Sequence, residues 1–150
     1  MVKQSRIEDL LPLSPLQEGL LFHAQYAEDD EDALDVYSVQ IAVDLDGPLD
    51  LERLRSAAAA LLRRHANLRV GFRRRKNGEP VQVVHRDVEL PWFETDLTDV
   101  PAEERDAGLD AFMAADRLRR FDLKRAPLIR FTVIRLGENR CRFLMTNHHI

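Results

Sequence analysis

Two adjacent histidines, His148 and His149, are the residues of this chain best suited to acid–base chemistry. Imidazole has an ordinary pKa of about 6.5, so it can accept or release a proton near neutral pH. Apolar and polar residues alternate before the pair, which predicts a strand from Arg140 to His148. Neighbouring side chains on a strand point to opposite faces, so His149 should share a face with Asn147, and His148 with Thr146. The two rings are therefore poorly placed to bind one metal ion, and His149 alone is a candidate acid or base.

No familiar catalytic motif accompanies the histidines. The sequence has no HExxH or CxxC pattern and no third ligand at a suitable spacing, so we expect no metal site. It also lacks a GxSxG elbow, a phosphate-binding loop and a dinucleotide fingerprint, which argues against serine hydrolases, P-loop enzymes and Rossmann dehydrogenases. The single Cys141 lies in the alternating strand pattern, where a thiol is usually a small buried apolar group rather than a nucleophile.

Length and composition indicate one globular domain. The chain has 150 residues, of which 45% are hydrophobic and 32% charged, with a net charge of −4. It has neither a long apolar run nor a secretion signal, so we expect no membrane segment and a cytoplasmic location. Acidic residues outweigh the basic run Arg73–Lys76, so nucleic-acid binding is not expected. The acidic run Glu28–Asp32 predicts an exposed loop.

The first half of the chain contains clear helix and strand signals. A helix is predicted from Pro15 to Tyr26, with a capping box formed by Ser14 and Gln17. Strict alternation from Tyr37 to Leu45 predicts a strand with one buried face. Leucines and alanines at three- and four-residue steps then predict an amphipathic helix from the cap Asp50 to about His65.

The second half predicts mainly strands with one further helix. The expected segments are strands at 68–74, 80–85 and 91–95, a helix from about 98 to 120, and a hairpin of strands 128–136 and 140–148. No regular βαβ repetition is present. The predicted fold is therefore α+β, with helices packed on one face of a largely antiparallel or mixed sheet.

Four short motifs resemble one known family. The segments are SPLQEGLLFH at 14–23, RHANLRVGF at 64–72, FDLKRAPLIR at 121–130 and NHHI at 147–150. In this order they resemble the motifs of the condensation domains of non-ribosomal peptide synthetases, whose catalytic motif reads HHxxxDG. Val70-Gly71 replaces the Thr-x of the second motif, and we expect this change to affect packing only. The DG end of the catalytic motif lies beyond Ile150.

The resemblance implies a fold and a reaction. Members of the family are about three times as long and consist of two chloramphenicol-acetyltransferase-like lobes, so residues 1–150 would be an incomplete N-terminal lobe that lacks its C-terminal partner lobe. Two carrier proteins present thioesters on phosphopantetheine arms, and the acceptor amine attacks the donor thioester to form an amide. The domain itself holds no cofactor.

The resemblance also implies roles for three residues. His149 would face the reacting amine, as a general base or as an orienting and charge-stabilising group, whereas His148 would be structural. Arg69 resembles the arginine that pairs with the aspartate of the catalytic motif. Without that aspartate, we expect Arg69 to be solvent-exposed or paired with another group.

Several alternatives remain open. The first motif resembles the subtype that takes a D-configured donor and an L-configured acceptor. An epimerisation domain or a stand-alone acyltransferase of the same superfamily is an alternative, and a non-catalytic module that binds a carrier protein or another lobe is an alternative of a different class. We expect the 150-residue chain to be inactive alone, and to expose a surface through which copies could self-associate.

Overall fold

The computed structural model describes residues 6–26 and 35–150, and the acidic run predicted as an exposed loop lies outside these ranges. Within them the helices are α1 (Pro15–Tyr26), α2 (Leu51–Arg64) and α3 (Ala102–Leu118), with a 3-10 turn at Ala66–Arg69. The strands are β1 (Ile7–Pro12), β2 (Ser38–Asp46), β3 (Val70–Arg74), β4 (Pro80–His85), β5 (Trp92–Asp96), β6 (Ile129–Gly137) and β7 (Arg140–His148). None of the helices in these two ranges has the length and apolar character needed to cross a membrane.

The predicted helix caps are present. Ser14 Oγ accepts a hydrogen bond from the Gln17 backbone N–H at 3.2 Å, and Gln17 Oε1 accepts one from the Ser14 N–H at 3.0 Å. These two bonds are the capping box predicted for α1. Asp50 caps α2 by accepting from the Arg53 N–H at 3.0 Å. Helix α2 ends at Arg64 with His65 as its C-cap, close to the predicted end.

The strands form two sheets. One has the order β1-β4-β3 and is antiparallel, and the other has the order β2-β7-β6-β5. The second sheet is mixed because β5 runs parallel to β6, whereas its other pairs are antiparallel. The predicted α+β class with a mixed sheet is therefore confirmed. Strand β1 was not predicted, because all six of its residues are exposed and carry no apolar alternation.

The prediction that the helices lie on one face of the sheet is wrong. Leu62 of α2 packs with Phe131 on one face of β6, whereas Leu109 of α3 packs with Ile134 on the other. Positions 131 and 134 differ by an odd number, so their side chains leave opposite faces of the strand. Strand β6 is buried on both faces because it lies between two helices. The sequence of such a strand does not show which face carries a helix.

The apolar face of β2 is exposed rather than buried, which corrects a second prediction. Val39, Ile41 and Val43 are 37%, 45% and 44% exposed. The alternation identified the strand correctly, and these residues pair in register with β7. However, β2 is an outer strand of its sheet, and α2 packs on residues of β6 farther along the sheet. In the described ranges no helix covers the face of β2 that carries these three residues.

A buried ion pair attaches α3 to the four-stranded sheet. Arg130 Nε lies 2.7 Å from Asp116 Oδ1, and the two side chains are only 6% and 3% exposed. Thr146 Oγ and Gln40 Nε2 donate to the other carboxylate oxygen at 2.6 and 2.8 Å, and the Phe121 ring lies 4.5 Å from the guanidinium carbon. Burial alone would raise the pKa of Asp116, but the bonds from Arg130, Thr146 and Gln40 hold it below its ordinary value. The carboxylate therefore connects α3 to β2, β6 and β7.

Asp116→Asn is expected to destabilise the chain strongly. The amide would leave the Arg130 charge buried without its counter-ion, which typically costs about 3–5 kcal/mol. Because the folded-state pKa of Asp116 is lowered, its stabilising contribution is present above about pH 4 and is lost as the pH falls through the folded-state pKa. Urea unfolding monitored by circular dichroism measures both effects. Asp110→Asn, at an exposed position of the same helix, is the matched control and should change stability by less than about 0.5 kcal/mol. Equal losses in the two variants would contradict the role of the pair.

Candidate functional site

The two histidines at the end of β7 have opposite environments. The His149 N–H donates to the Tyr37 carbonyl at 2.9 Å, so the pairing of β7 with the chain entering β2 extends one residue beyond the strand. The side chain of His148 is 0% exposed, whereas His149 is an exposed residue. The two side chains thus differ in burial, and their opposite orientation stays a prediction.

His148 is a buried, neutral group. Its Nε2 lies 3.4 Å from Asp35 Oδ2, and its ring centre lies 6.1 Å from that of Tyr37. Within the described ranges neither ring nitrogen has a hydrogen-bond partner. Burial lowers the pKa of His148, nearby Asp35 opposes this effect, and His149 lowers the pKa further. Burial thus favours the uncharged form of the ring.

A cavity of about 340 Å³ lies at the end of β7, and His149 lines it. Four residues with carboxamide side chains line it as well: Gln17 of α1, Asn67 of the 3-10 turn, Gln82 of β4 and Asn147 of β7. Its apolar wall comprises Leu68, Val70, Phe72, Leu128, Ile129 and Ile150. No Asp, Glu, Lys or Arg is among the lining residues of the described ranges. His148 lines the cavity too, but its side chain is 0% exposed. The cavity therefore offers the exposed imidazole of His149 and several neutral hydrogen-bonding groups.

The structure gives no grouping suited to a metal ion. Within residues 6–26 and 35–150, no three side chains of His, Cys, Asp or Glu are close enough to hold one. Cys141 is buried, and burial raises the pKa of its thiol, so the protonated form is favoured.

Arg69 is buried and paired, and it does not line the cavity. Its Nη2 lies 2.7 Å from Glu8 Oε2, with the arginine side chain 7% exposed. The remaining bonds are to backbone carbonyl oxygens, at 2.8 Å for His85 and 2.9 Å for both Leu62 and Arg63. The expectation that Arg69 pairs with another group is confirmed, and the alternative expectation that it is solvent-exposed is wrong. The guanidinium joins β1, β4 and the end of α2.

Two cavity residues were not identified from the sequence, Asn67 and Gln82. Asn67 lies inside the second motif, but nothing in its spacing suggested a role. Gln82 is the polar residue in the apolar run of β4, between the buried Val81 and Val83. A lone glutamine on a strand is usually solvated, so only its position against α1 gives it significance.

Gly71 allows a loop to approach β3 closely. A Cβ at this position would lie 3.1 Å from the Lys124 carbonyl oxygen, and the Phe72 N–H donates to the Leu123 carbonyl at 2.7 Å. This contact places residues 121–128 beside β3, and Leu128 at the end of that segment lines the cavity. The departure from the family motif at Val70-Gly71 thus lies at a packing contact.

Comparisons with known proteins agree with this geometry. The family model described as "Condensation domain" matches residues 7–150, and the chain belongs to this family. It is 39% identical over 144 residues to one of the subunits of linear gramicidin synthase from Brevibacillus parabrevis, covering 96% of the chain and 2% of that protein. It is 31% identical over 147 residues to bacitracin synthase 3 from Bacillus licheniformis, covering 98% of the chain and 2% of that protein. The chain thus spans a small fraction of the length of these relatives.

Solved structures show the same fold. The starter condensation domain of rhizomide synthetase superposes with a TM-score of 0.80 at 18% identity, over 95% of this chain and 33% of that one. The first condensation domain of the calcium-dependent antibiotic synthetase, solved with a substrate analogue, gives 0.79 at 21% identity, over 95% and 33%. The predicted family and the chloramphenicol-acetyltransferase-like α+β fold are confirmed, and the chain spans about a third of these two solved chains.

The buried state of His148 predicts how stability depends on pH. Because burial lowers the folded-state pKa, the unfolded chain binds the proton more readily, and the free energy of unfolding should decrease as the pH falls below about 6.5. His85 contributes in the same direction, since burial and then Arg73 lower its pKa. In urea titrations, the free energy of unfolding of His148→Phe should therefore decrease less between pH 7 and 5 than that of the wild type. The remaining decrease in the variant includes the contribution of His85. An unchanged pH dependence in the variant would contradict this assignment.

Proposed function

We propose that residues 1–150 are the incomplete N-terminal lobe of a condensation domain of a non-ribosomal peptide synthetase. In this proposal the domain joins the acyl group of a donor thioester to the amine of an acceptor and forms an amide. The observation that carries it is the division of the histidine pair, with His148 buried and His149 exposed at a neutral, polar cavity. The relatives are synthases of linear gramicidin and of bacitracin, which supports the reaction class.

The reaction needs positioning more than it needs a strong base. A free α-amine has a pKa of about 8, so part of it is neutral near pH 7, and a thioester is already a reactive acyl donor. Bringing two tethered reactants together can lower the barrier by about 7–11 kcal/mol. The cavity therefore has to align the amine nitrogen with the thioester carbonyl and stabilise the charges that develop during attack.

His149 is the residue we assign to the amine. As the new C–N bond forms, positive charge develops on the attacking nitrogen, and the imidazole can accept the proton that nitrogen loses. No carboxylate lines the cavity in the described ranges, so the cavity offers the amine no fixed negative charge. The same ring can orient the amine by accepting its hydrogen bond before attack.

His148 and Arg69 are assigned as supporting residues that do not contact substrate. The buried His148 ring holds the end of β7 between Tyr37 and Asp35. Arg69 joins α2 to β1 and β4, and so fixes the elements that carry Asn67 and Gln82. Glu8 supplies its counter-charge in this chain.

The substrates are proposed to arrive on carrier proteins. Two carriers, donor and acceptor, would each deliver a thioester on a phosphopantetheine arm, and the domain itself would hold no cofactor. Such a synthetase would work in the cytoplasm. The first motif, together with the preceding Pro12 and Leu13, resembles that of the subtype with a D-configured donor and an L-configured acceptor, and we propose these configurations for the substrates.

Replacing His149 tests the assignment. In a condensation domain that contains this chain, His149→Ala should lower kcat by about 10²–10⁴-fold, the usual contribution of a proton-transfer group. His23→Ala, at an exposed residue of α1, is the matched control and should retain activity. The measurement is mass spectrometry of the dipeptidyl product from two loaded carriers, with D- and L-configured donors compared in parallel. The 150-residue chain alone should form no product. Full activity of His149→Ala in the larger domain would refute its role.

An interaction surface is a second candidate function, favoured by the exposed face of β2. Val39, Ile41 and Val43 form an apolar patch on an outer strand, and such patches usually mark contact sites. We propose that the second lobe of the domain contacts this patch, and that copies of the isolated chain associate through it.

Ile41→Lys tests the interaction surface. A charge at the centre of the patch should shift the isolated chain from dimers or larger species toward monomer, as measured by sedimentation velocity. Leu118→Lys is the control, because this residue is 63% exposed on α3 and lies outside the patch. If the wild type is a monomer at high concentration, the patch does not mediate self-association.

A further inference from the structure

The capping box of α1 uses only part of the Gln17 carboxamide. Its Oε1 accepts from the Ser14 N–H at 3.0 Å and from Gln82 Nε2 at 2.9 Å. An amide oxygen has two lone pairs, so both are used, and its NH₂ group remains as a donor. No hydrogen bond from this NH₂ group is made to any residue of the described ranges, and Gln17 lines the cavity beside His149.

The orientation of the Gln82 carboxamide is determined by its neighbours. Its Nε2 donates to the Pro12 carbonyl at 3.0 Å and to Gln17 Oε1, both of which can only accept. The nitrogen must therefore face α1, and the oxygen must face away from these two bonds. Gln82 also lines the cavity. Its Oε1 accepts no hydrogen bond from the described ranges, so this acceptor is free for a ligand.

Together the two side chains present one donor and one acceptor that are both held in place. Gln17 is fixed by the helix cap, and Gln82 is fixed by β4 and by the carbonyl at the end of β1. Groups that are ordered before binding lose little conformational entropy when a ligand arrives. They therefore contribute more to affinity than two mobile glutamines would.

The surroundings indicate which ligand chemistry fits. No Lys or Arg lines the cavity in the described ranges, so phosphate or carboxylate groups have no counter-charge there. A ligand that carries both a carbonyl and an N–H, in a neutral dipolar group, matches the free donor of Gln17 and the free acceptor of Gln82. A secondary amide is such a group.

We infer that Gln17 and Gln82 form an amide-binding station, defined by the Gln17 NH₂ group and Gln82 Oε1, in the cavity that contains His149. The inference rests on the proposed function for the identity of the ligand. The amide would belong either to the phosphopantetheine arm or to the acyl group that the arm carries. The station would align the thioester chain along the wall of the cavity that leads to the imidazole.

The capping box allows a variant that removes the free donor of Gln17 and keeps the helix cap. Gln17→Glu retains an oxygen that accepts from the Ser14 N–H and from Gln82, since glutamate is the other common residue of capping boxes, but it removes the free NH₂ donor. Gln25→Glu makes the same chemical change on the same helix at a residue that does not line the cavity, and it is the matched control. Thermal unfolding and circular dichroism show whether α1 is intact in both.

Binding is measured by NMR titration of the ¹⁵N-labelled 150-residue chain. The probe for the arm is N-acetyl-S-acetylcysteamine, which has one secondary amide and one thioester, and its ester analogue is 2-(acetylthio)ethyl acetate. We expect the amide probe to shift the side-chain NH₂ signals of Gln17 and Gln82 in the wild type. Gln17→Glu should weaken binding roughly tenfold, the usual effect of losing one hydrogen bond to a ligand, and Gln25→Glu should change it less than about twofold.

The ester analogue tests the acceptor separately. It lacks the N–H that Gln82 Oε1 would accept, so the wild type should bind it roughly tenfold more weakly than the amide. In Gln82→Leu the two probes should bind equally, because the discriminating acceptor is gone. N-acetylglycine S-ethyl thioester carries an amide only in its acyl group. If Gln17→Glu and Gln82→Leu weaken the binding of this probe more than that of N-acetyl-S-acetylcysteamine, the station binds the amide of the acyl group, and the opposite result assigns it to the arm.

Equal binding of amide and ester by the wild type would overturn the inference, and so would equal affinities of Gln17→Glu and Gln25→Glu. Neither result bears on peptide formation, which this titration does not measure. Conversely, full activity of His149→Ala would refute the proposed function while leaving amide recognition intact.

Discussion

The Asp116–Arg130 ion pair is the contact on which the geometry of the sheet most depends. It lies between α3 and the four-stranded sheet. The carboxylate accepts hydrogen bonds from side chains of three strands and so holds α3 against them. Two buried charges are costly to desolvate, and the cost is offset here by a short ion pair, two further donors and an aromatic ring over the guanidinium. One of those donors, Thr146, precedes the histidine pair by two residues. The same interaction that fastens the helix therefore also fixes the strand that ends in His148 and His149.

Local signals in the sequence predict the helices and the hairpin well. Ser14 and Asp50 cap helices through bonds that span three residues, so a short window contains the whole interaction. The two-residue period of β7 likewise predicts that His148 and His149 face opposite sides. These features need no knowledge of how distant segments pack.

Features that depend on long-range contacts could not be predicted in the same way. Strand β1 exists because it pairs with β4, and none of its residues is buried. The exposed face of β2 shows the same apolar alternation as a buried strand face. This pattern shows that a strand has an apolar face, but it does not show what covers that face. The cavity needs Gln17 and Gln82 to meet from positions 65 residues apart. The family motifs identified His149 but gave no indication of this pair.

The backbone hydrogen bond from His149 to Tyr37 couples the position of His149 to that of β2. Tyr37 leads into β2, the outer strand of its sheet, which has a sheet neighbour on only one side within the described residues. The backbone of His149 thus continues β7, which pairs with β6 and β2, and it is also bonded to the residue that precedes the outer strand β2. A displacement of β2 would therefore reach the backbone of His149, which carries the imidazole we propose as proton acceptor, through one hydrogen bond.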